Sequence, residues 1–75
     1  MNNKMISLGY AKKGTYKIVS VRRPGKLRRM YNMGIFIGDI IEVIKPGPGP
    51  VIIRKGNIRI GIGLGIAQDI FVQPI

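Results

Sequence analysis

Apolar residues along this chain recur with two different periods, and the change of period marks out its elements. Residues 15–22 (TYKIVSVR) are rich in β-branched and aromatic side chains and predict a first strand. Its alternation is imperfect. Tyr16 and Ile18 suit one face and Val19 and Val21 the other, which calls for a bulge or for burial of both faces. Ahead of it, Leu8 and Ala11 fall three apart and suggest a short turn leading into that strand. After Pro24-Gly25 breaks the chain, the period lengthens: Leu27, Met30 and Tyr31 stand at i, i+3 and i+4, while Arg28, Arg29 and Asn32 point elsewhere. This pattern predicts an amphipathic helix of about two turns over 26–33. Gly34 sits where a left-handed residue would end it. So short a helix depends on packing of its apolar face.

A turn at Gly38-Asp39 precedes a second strand over 40–45, with Ile41 and Val43 on one face and Ile40, Glu42 and Ile44 on the other. The run Pro46-Gly47-Pro48-Gly49-Pro50 cannot pair in a sheet and reads as an inter-strand loop. Two further strands, 51–55 and 58–62, flank Gly56-Asn57, a two-residue hairpin signal of the primed-turn kind. Ile58, Ile60 and Ile62 alternate with Arg59 and Gly61 in the second arm. A short helical turn over 65–69 leads to a last strand at 70–72. Five short strands in so small a chain must curl, because closing a sheet removes its edges. The expectation is a mostly β fold: a small SH3-like barrel of about five strands, one short helix after the first strand and a helical turn before the last, with residues 1–75 forming a single domain.

Composition supports folding and narrows the chemistry. Hydrophobic residues make up 45% of the chain and fifteen residues are Ile, so this is no disordered basic tail. A chain of 75 residues has a marginal core, and branched aliphatics must supply its cohesion. Thirteen Lys and Arg face only Asp39, Glu42 and Asp69, for a net charge of +10, and there is no His and no Cys. Disulfides, thiolate metal sites and cysteine nucleophiles are excluded, and the commonest general base is missing. A binding or regulatory module is expected rather than an enzyme. The start, Met1-Asn2-Asn3-Lys4, leads into no apolar segment of the secretory type. No stretch approaches the ~20 apolar residues of a spanning helix, so cytoplasm is the expected location.

Three features invite specific chemistry. The glycines of Gly61-Ile62-Gly63-Leu64-Gly65 alternate strictly, unlike the G-x-G-x-x-G of dinucleotide sites, which also needs a long following helix. The plainer reading is close approach of another segment or a tight barrel corner. The doublets Lys12-Lys13, Arg22-Arg23, Arg28-Arg29 and Arg54-Lys55 suit nucleic acid, an acidic protein partner or an anionic membrane surface. A single-strand platform also needs stacking aromatics. Of Tyr10, Tyr16, Tyr31, Phe36 and Phe71, Tyr31 is taken by the apolar face of the helix. Nucleic acid is therefore disfavoured, though a small basic SH3-like barrel binding nucleic acid stands as the alternative function. The three carboxylates lack the imidazole or thiolate that transition metals prefer. Asp39 more simply serves the turn after Gly38, and no metal or cofactor is assigned.

The order and spacing of several segments resemble one family. Leu8-x-x-Ala11-x-x-Gly14, Ile18-Val19-Ser20-Val21, and Leu27-Arg28-Arg29-Met30-Tyr31-Asn32-Met33-Gly34-Ile35-x-x-Gly38-x-x-Ile41-x-Val43 are similar to the FeoA family of ferrous iron transport proteins. Its most specific stretch is a helix R-L-x-x-[LM]-G-[IL]-x-x-G followed by a strand. Pro50 to Ile53, Asn57-x-Arg59-Ile60-x-Ile62-Gly63 and Ala67-x-x-Ile70-x-Val72 resemble its closing hairpin and tail. Two positions depart. Lys55 stands where an apolar residue is common, which predicts a frayed or exposed hairpin arm. Lys26 replaces a frequent Arg and forgoes bidentate geometry. The resemblance implies a cytoplasmic SH3-like adaptor that supports the FeoB-type ferrous iron permease by binding its cytosolic GTPase portion, without itself moving iron. On that reading Arg22, Arg23, Lys26, Arg28 and Arg29 guide docking electrostatically, and Met33 and Phe36 supply apolar contacts. The plain alternative for the arginines is a solvated helix face.

Overall fold

A computed structural model describes residues 4–75; the reading of Met1 to Asn3 as carrying no secretory signal lies outside them. Six strands and two helices follow in the order β1 (Ile6–Ser7), β2 (Gly14–Val21), α1 (Pro24–Asn32), β3 (Ile40–Lys45), β4 (Val51–Lys55), β5 (Ile58–Ile62), α2 (Leu64–Ala67) and β6 (Ile70–Pro74). A 3-10 turn, Leu8–Tyr10, joins β1 to β2. The strands form one antiparallel sheet ordered β1-β6-β2-β3-β4-β5. The small SH3-like fold is the one expected, but its barrel is not closed: β1 and β5 remain edges. The sequence reading also missed β1. Two residues are too short to show a period, and Ile6 and Ser7 pair with Val72 and Phe71 of β6.

Imperfect alternation in β2 has a structural cause. Its register against β6 shifts between Ile18 and Ser20, so a bulge lets Tyr16 and Ile18 face the core while Val19 and Val21 lie half-buried. A second irregularity between Val43 and Lys45 bends β3 against β4. These two bends curl the sheet around a core of Leu8, Tyr16, Ile18, Met30, Ile35, Ile41, Val43, Val51, Ile53, Ile62, Ile70 and Val72, with Ala11 and Ala67 filling small gaps. The Tyr16 hydroxyl, the polar end of a buried ring, donates to the Lys12 carbonyl at 2.8 Å.

Helix α1 begins two residues earlier than its periodicity predicts. Pro24 does not break the chain; it occupies the first helical turn, where its missing N–H costs nothing and its fixed φ is already helical. The far end fulfils the expectation for Gly34, which has φ +84°. The Gly34 N–H donates to the Tyr31 carbonyl at 2.9 Å and the Ile35 N–H to that of Met30 at 3.3 Å. This paired closure is a Schellman motif, and Met30 and Ile35, both fully buried, make the apolar contact that accompanies it. The reversal decides which side of the helix is inside. Met30 is buried and Leu27 partly so, but Tyr31 is 40% exposed, against the expectation that it belongs to the buried face.

The alternating glycines do not serve close approach, although Gly63 stands at the corner between β5 and α2. A side-chain carbon at Gly61, Gly63 or Gly65 would meet nothing within 4 Å, and none of the three has positive φ. Close approach occurs instead at Gly9, where such a carbon would lie 3.1–3.3 Å from Gln68, and at Gly47, 3.2 Å from the Gly9 carbonyl oxygen. The Ser7 hydroxyl fixes this junction: it accepts from the Gly9 N–H at 3.2 Å and donates to the Gln68 carbonyl at 2.9 Å. The 46–50 loop joins β3 to β4 as expected, with a cis Gly47–Pro48 bond.

Two pairs of substitutions test these placements. Met30→Ala should cost about 2–5 kcal/mol, the usual range for a buried Met truncation, whereas Tyr31→Ala should cost less than about 1 kcal/mol, measured by urea unfolding. Gly9→Ala should destabilise by about 1–3 kcal/mol through overpacking, and Gly63→Ala should stay within about 0.5 kcal/mol.

Candidate functional site

The residues expected to guide docking divide into two groups with different surroundings. Arg22 leaves the end of β2, Arg23 caps α1 without a side-chain cap bond, and Lys26 lies in its first turn. All three converge on Asp69, whose carboxylate is 7% exposed between α2 and β6. Arg22 donates from Nε and Nη2 to Oδ1 at 3.2 and 3.1 Å. Lys26 Nζ lies 3.4 Å and Arg23 Nε 3.8 Å from Oδ2. Lys26 also donates to the Gly65 carbonyl at 2.9 Å, and the Arg22 guanidinium sits 5.5 Å from the centre of the Phe71 ring. The main chain repeats the tie, with the Arg22 N–H on the Asp69 carbonyl at 2.8 Å. Lys26 thus makes its contacts one at a time, as a point charge does, rather than as a fork.

Burial by itself would raise the Asp69 pKa. The hydrogen bonds from Arg22 and Lys26 and the charges of Arg23 and Lys26 outweigh it and hold the carboxyl below its ordinary value. These three cations therefore fasten the start of α1 to the α2–β6 junction.

Arg28 and Arg29, two and three residues beyond Lys26, are exposed. Among the described residues no carboxylate lies within ion-pair distance of either. Met33 is partly buried and packs against the core. Phe36 is 45% exposed, stacks on Tyr31 with ring centres 5.1 Å apart, and lies under Lys55 Nζ at 4.9 Å. Its N–H donates to Asp39 Oδ2 at 2.8 Å. Asp39 thus serves the loop before it, rather than the turn after Gly38.

Lys55 corrects another expectation. It stays within β4 and is not frayed. Because Lys55 follows Ile53 by two, both point to the inner face. From there Nζ reaches the Gly34 carbonyl at 2.7 Å and Asp39 at 2.7 Å. This inward-pointing cation fastens the 34–39 loop to the β4–β5 hairpin. Ile37, Ile40 and Ile58 are 46%, 51% and 62% exposed. Ile40 pairs with Lys17 across β2 and β3, and Ile58 with Lys55 across the hairpin. Ile40, alternating with buried Ile41, lies on the opposite face of the sheet from Ile58, which alternates towards buried Ile62. Tyr31, Phe36 and the neighbouring Ile37 give an exposed apolar patch beneath Lys55. Arg28 precedes Tyr31 by three and shares its side of the helix. Sequence reasoning found only Phe36 of these apolar residues. The signal it held was Lys55 itself, a charge on the inward-pointing side of a strand.

A shallow apolar groove of about 410 Å³ lies elsewhere, lined by Tyr10, Ala11, Pro46, Pro48 and Leu64 with Lys12 at its border. Tyr10 in this groove and the Tyr31–Phe36 stack do not form one row of aromatics. Among the described residues, no three metal-ligating side chains cluster, and no helix is long and apolar enough to cross a membrane.

Comparison with known proteins places this geometry in a family. The FeoA domain model matches residues 6–74. The chain belongs to the FeoA domain family. Its fold superimposes on the crystal structure of an iron uptake regulatory protein, FeoA, at 27% identity with a TM-score of 0.84, covering 96% of this chain and 99% of that one. A FeoA-like protein from Clostridium acetobutylicum, solved by NMR, gives 25% identity and a TM-score of 0.82 over 96% and 88% of the two chains. A manganese-dependent transcriptional repressor shares the fold alone, at 18% identity and a TM-score of 0.84, the match covering 100% of this chain and 44% of that one. No curated protein sequence matches the chain.

Asp69 provides a pH test of the site. A carboxyl with a lowered folded pKa contributes stability that is full above its unfolded value near 4 and is lost as pH falls through the folded value. Asp69→Asn should therefore lower the urea midpoint at pH 7 and flatten the loss of stability below about pH 4. Parallel stability–pH curves for the two proteins would overturn the assignment.

Proposed function

We propose that this FeoA domain is a non-catalytic, cytoplasmic accessory protein of ferrous iron uptake that docks on the cytosolic GTPase portion of a FeoB-type permease. Membership of the FeoA family implies a role in ferrous iron transport. The observation that carries the docking reading is the pairing of unneutralised cations with an ordered apolar patch. Arg28 projects from α1 on the side of Tyr31, which packs against Phe36, and Arg29 is exposed further round the helix, a combination of basic and aromatic residues enriched at protein interfaces. Arg22, Arg23 and Lys26 are already engaged by Asp69, so steering falls to Arg28 and Arg29 and apolar contact to Phe36 and Ile37. Met33 is partly buried against the core and leaves less free surface for contact than Phe36. The excess positive charge of the whole domain also suits work beside the anionic cytoplasmic leaflet.

Charge reversal of Arg28 and Arg29 to Glu should slow association with the permease's soluble cytosolic portion about tenfold or more at low salt and weaken its salt dependence. Phe36→Ala should instead raise the dissociation rate. Stopped-flow kinetics at several ionic strengths reads both, and unchanged association of the double reversal would sink the docking assignment.

A further inference from the structure

The β5 edge is open and electrostatically unfinished. In an antiparallel pair, facing residues alternate between exchanging both main-chain hydrogen bonds and exchanging none. The Gly56-Asn57 turn, with Gly56 at φ +59° and no positive φ at Asn57, closes β4–β5 on the pair Lys55–Ile58. Bond exchange at that pair makes Ile53–Ile60 and Val51–Ile62 the other exchanging pairs. The N–H and C=O groups of Arg59 and Gly61 therefore point away from β4, and among the described residues no further strand pairs with β5. The opposite edge, β1, is only two residues long; β5 has five.

Side chains along β5 say what would fit. Arg59 lies directly across from Arg54, and facing like charges destabilise a sheet pair. Glu42 sits on the far side of Arg54 and pairs with it, so Arg59 is left beside a cation with no carboxylate of its own. Gly61, next along this face, is exposed with nothing within 4 Å of where a side chain would begin. On the other face Ile58 is exposed and Ile60 half-buried. We propose that β5 accepts an added strand from another protein, an extended segment in which acidic residues alternate with apolar ones. Its main chain bonds the free groups of Arg59 and Gly61. Its acidic side chains meet Arg59, and a bulky one covers Gly61. Its apolar side chains extend the face of Ile58 and Ile60. Strand addition of this kind draws affinity from the main chain and selectivity from alternate side chains. A second copy of this chain is the poorer occupant, since it would bring together two bodies of charge +10.

The test is an NMR titration of the full ¹⁵N-labelled chain with a capped seven-residue peptide alternating valine and glutamate, and with its lysine counterpart. The glutamate peptide should shift the Arg59 and Gly61 amides and slow their hydrogen exchange, while the lysine peptide should not. Gly61→Pro removes an outward donor while leaving the bonds to β4, and should weaken binding about tenfold or more with an unchanged far-UV CD spectrum. Should Gly61→Pro unfold the chain, Arg59→Glu carries the test: it should lose the glutamate peptide and gain the lysine one. Shifts confined to other residues, equal binding of both peptides, or Arg59 and Gly61 protection that rises with protein concentration alone would each overturn the proposal.

Discussion

Scarcity of negative charge shapes this molecule. With three carboxylates against thirteen cations, each carboxylate joins elements distant in sequence. Asp69 gathers Arg22, Arg23 and Lys26 and so binds the start of α1 to the α2–β6 junction. Asp39 takes Lys55 and the Phe36 N–H, joining the loop after α1 to the hairpin. Glu42 takes Arg54 across β3 and β4. The last pair is exposed and contributes little. The first two lie at junctions where the sheet ends and backbone groups need partners, and there a carboxylate that accepts several donors has high value. The hydrophobic core supplies cohesion; the two aspartates settle how the helix lies upon it.

This division explains what the charge is free to do. Cations that meet a carboxylate in the folded chain are held in place and partly neutralised. Those without one, among them Arg28, Arg29 and Arg59, keep their full field for encounter with something acidic. A count of basic residues alone treats both kinds as one surface, whereas only the second kind is available for binding. The patch beside Arg28 and the edge beside Arg59 both lie where an unpaired cation adjoins exposed apolar or main-chain groups.

Much of the fold is written in local pattern. The bulge in β2, the reversal at Gly34, the hairpin at Gly56-Asn57 and the proline loop each follow from a few neighbouring residues, and each is present. Misreadings arose where a residue has two local meanings and tertiary structure chooses between them. Pro24 both breaks and begins helices. Tyr31 fits the helical period, yet the Gly34 reversal brings Phe36 alongside it and leaves both at the surface. Asp69 and Arg22 are 47 positions apart, so no spacing rule could pair them. Lys55 looked like a defect because its reach to Gly34 and Asp39 is invisible in strand periodicity. For the candidate site, the basic residues were legible from composition, but their separation into structural and unpaired groups depended on where Asp69 falls in three dimensions.

The fixing of Phe36 has a thermodynamic consequence. Its main chain is clamped by Asp39, its ring rests on Tyr31 beneath Lys55, and the Schellman closure sets the direction of the loop that carries it. Ordering a loose side chain at an interface typically costs about 0.5–1.5 kcal/mol, and ordering main chain costs more. Here that loss of conformational freedom is incurred once, during folding, and is absent from any later encounter. A partner meeting this corner of the molecule therefore meets a rigid knob, and its affinity reflects contact and desolvation with little entropy withheld for tidying the surface.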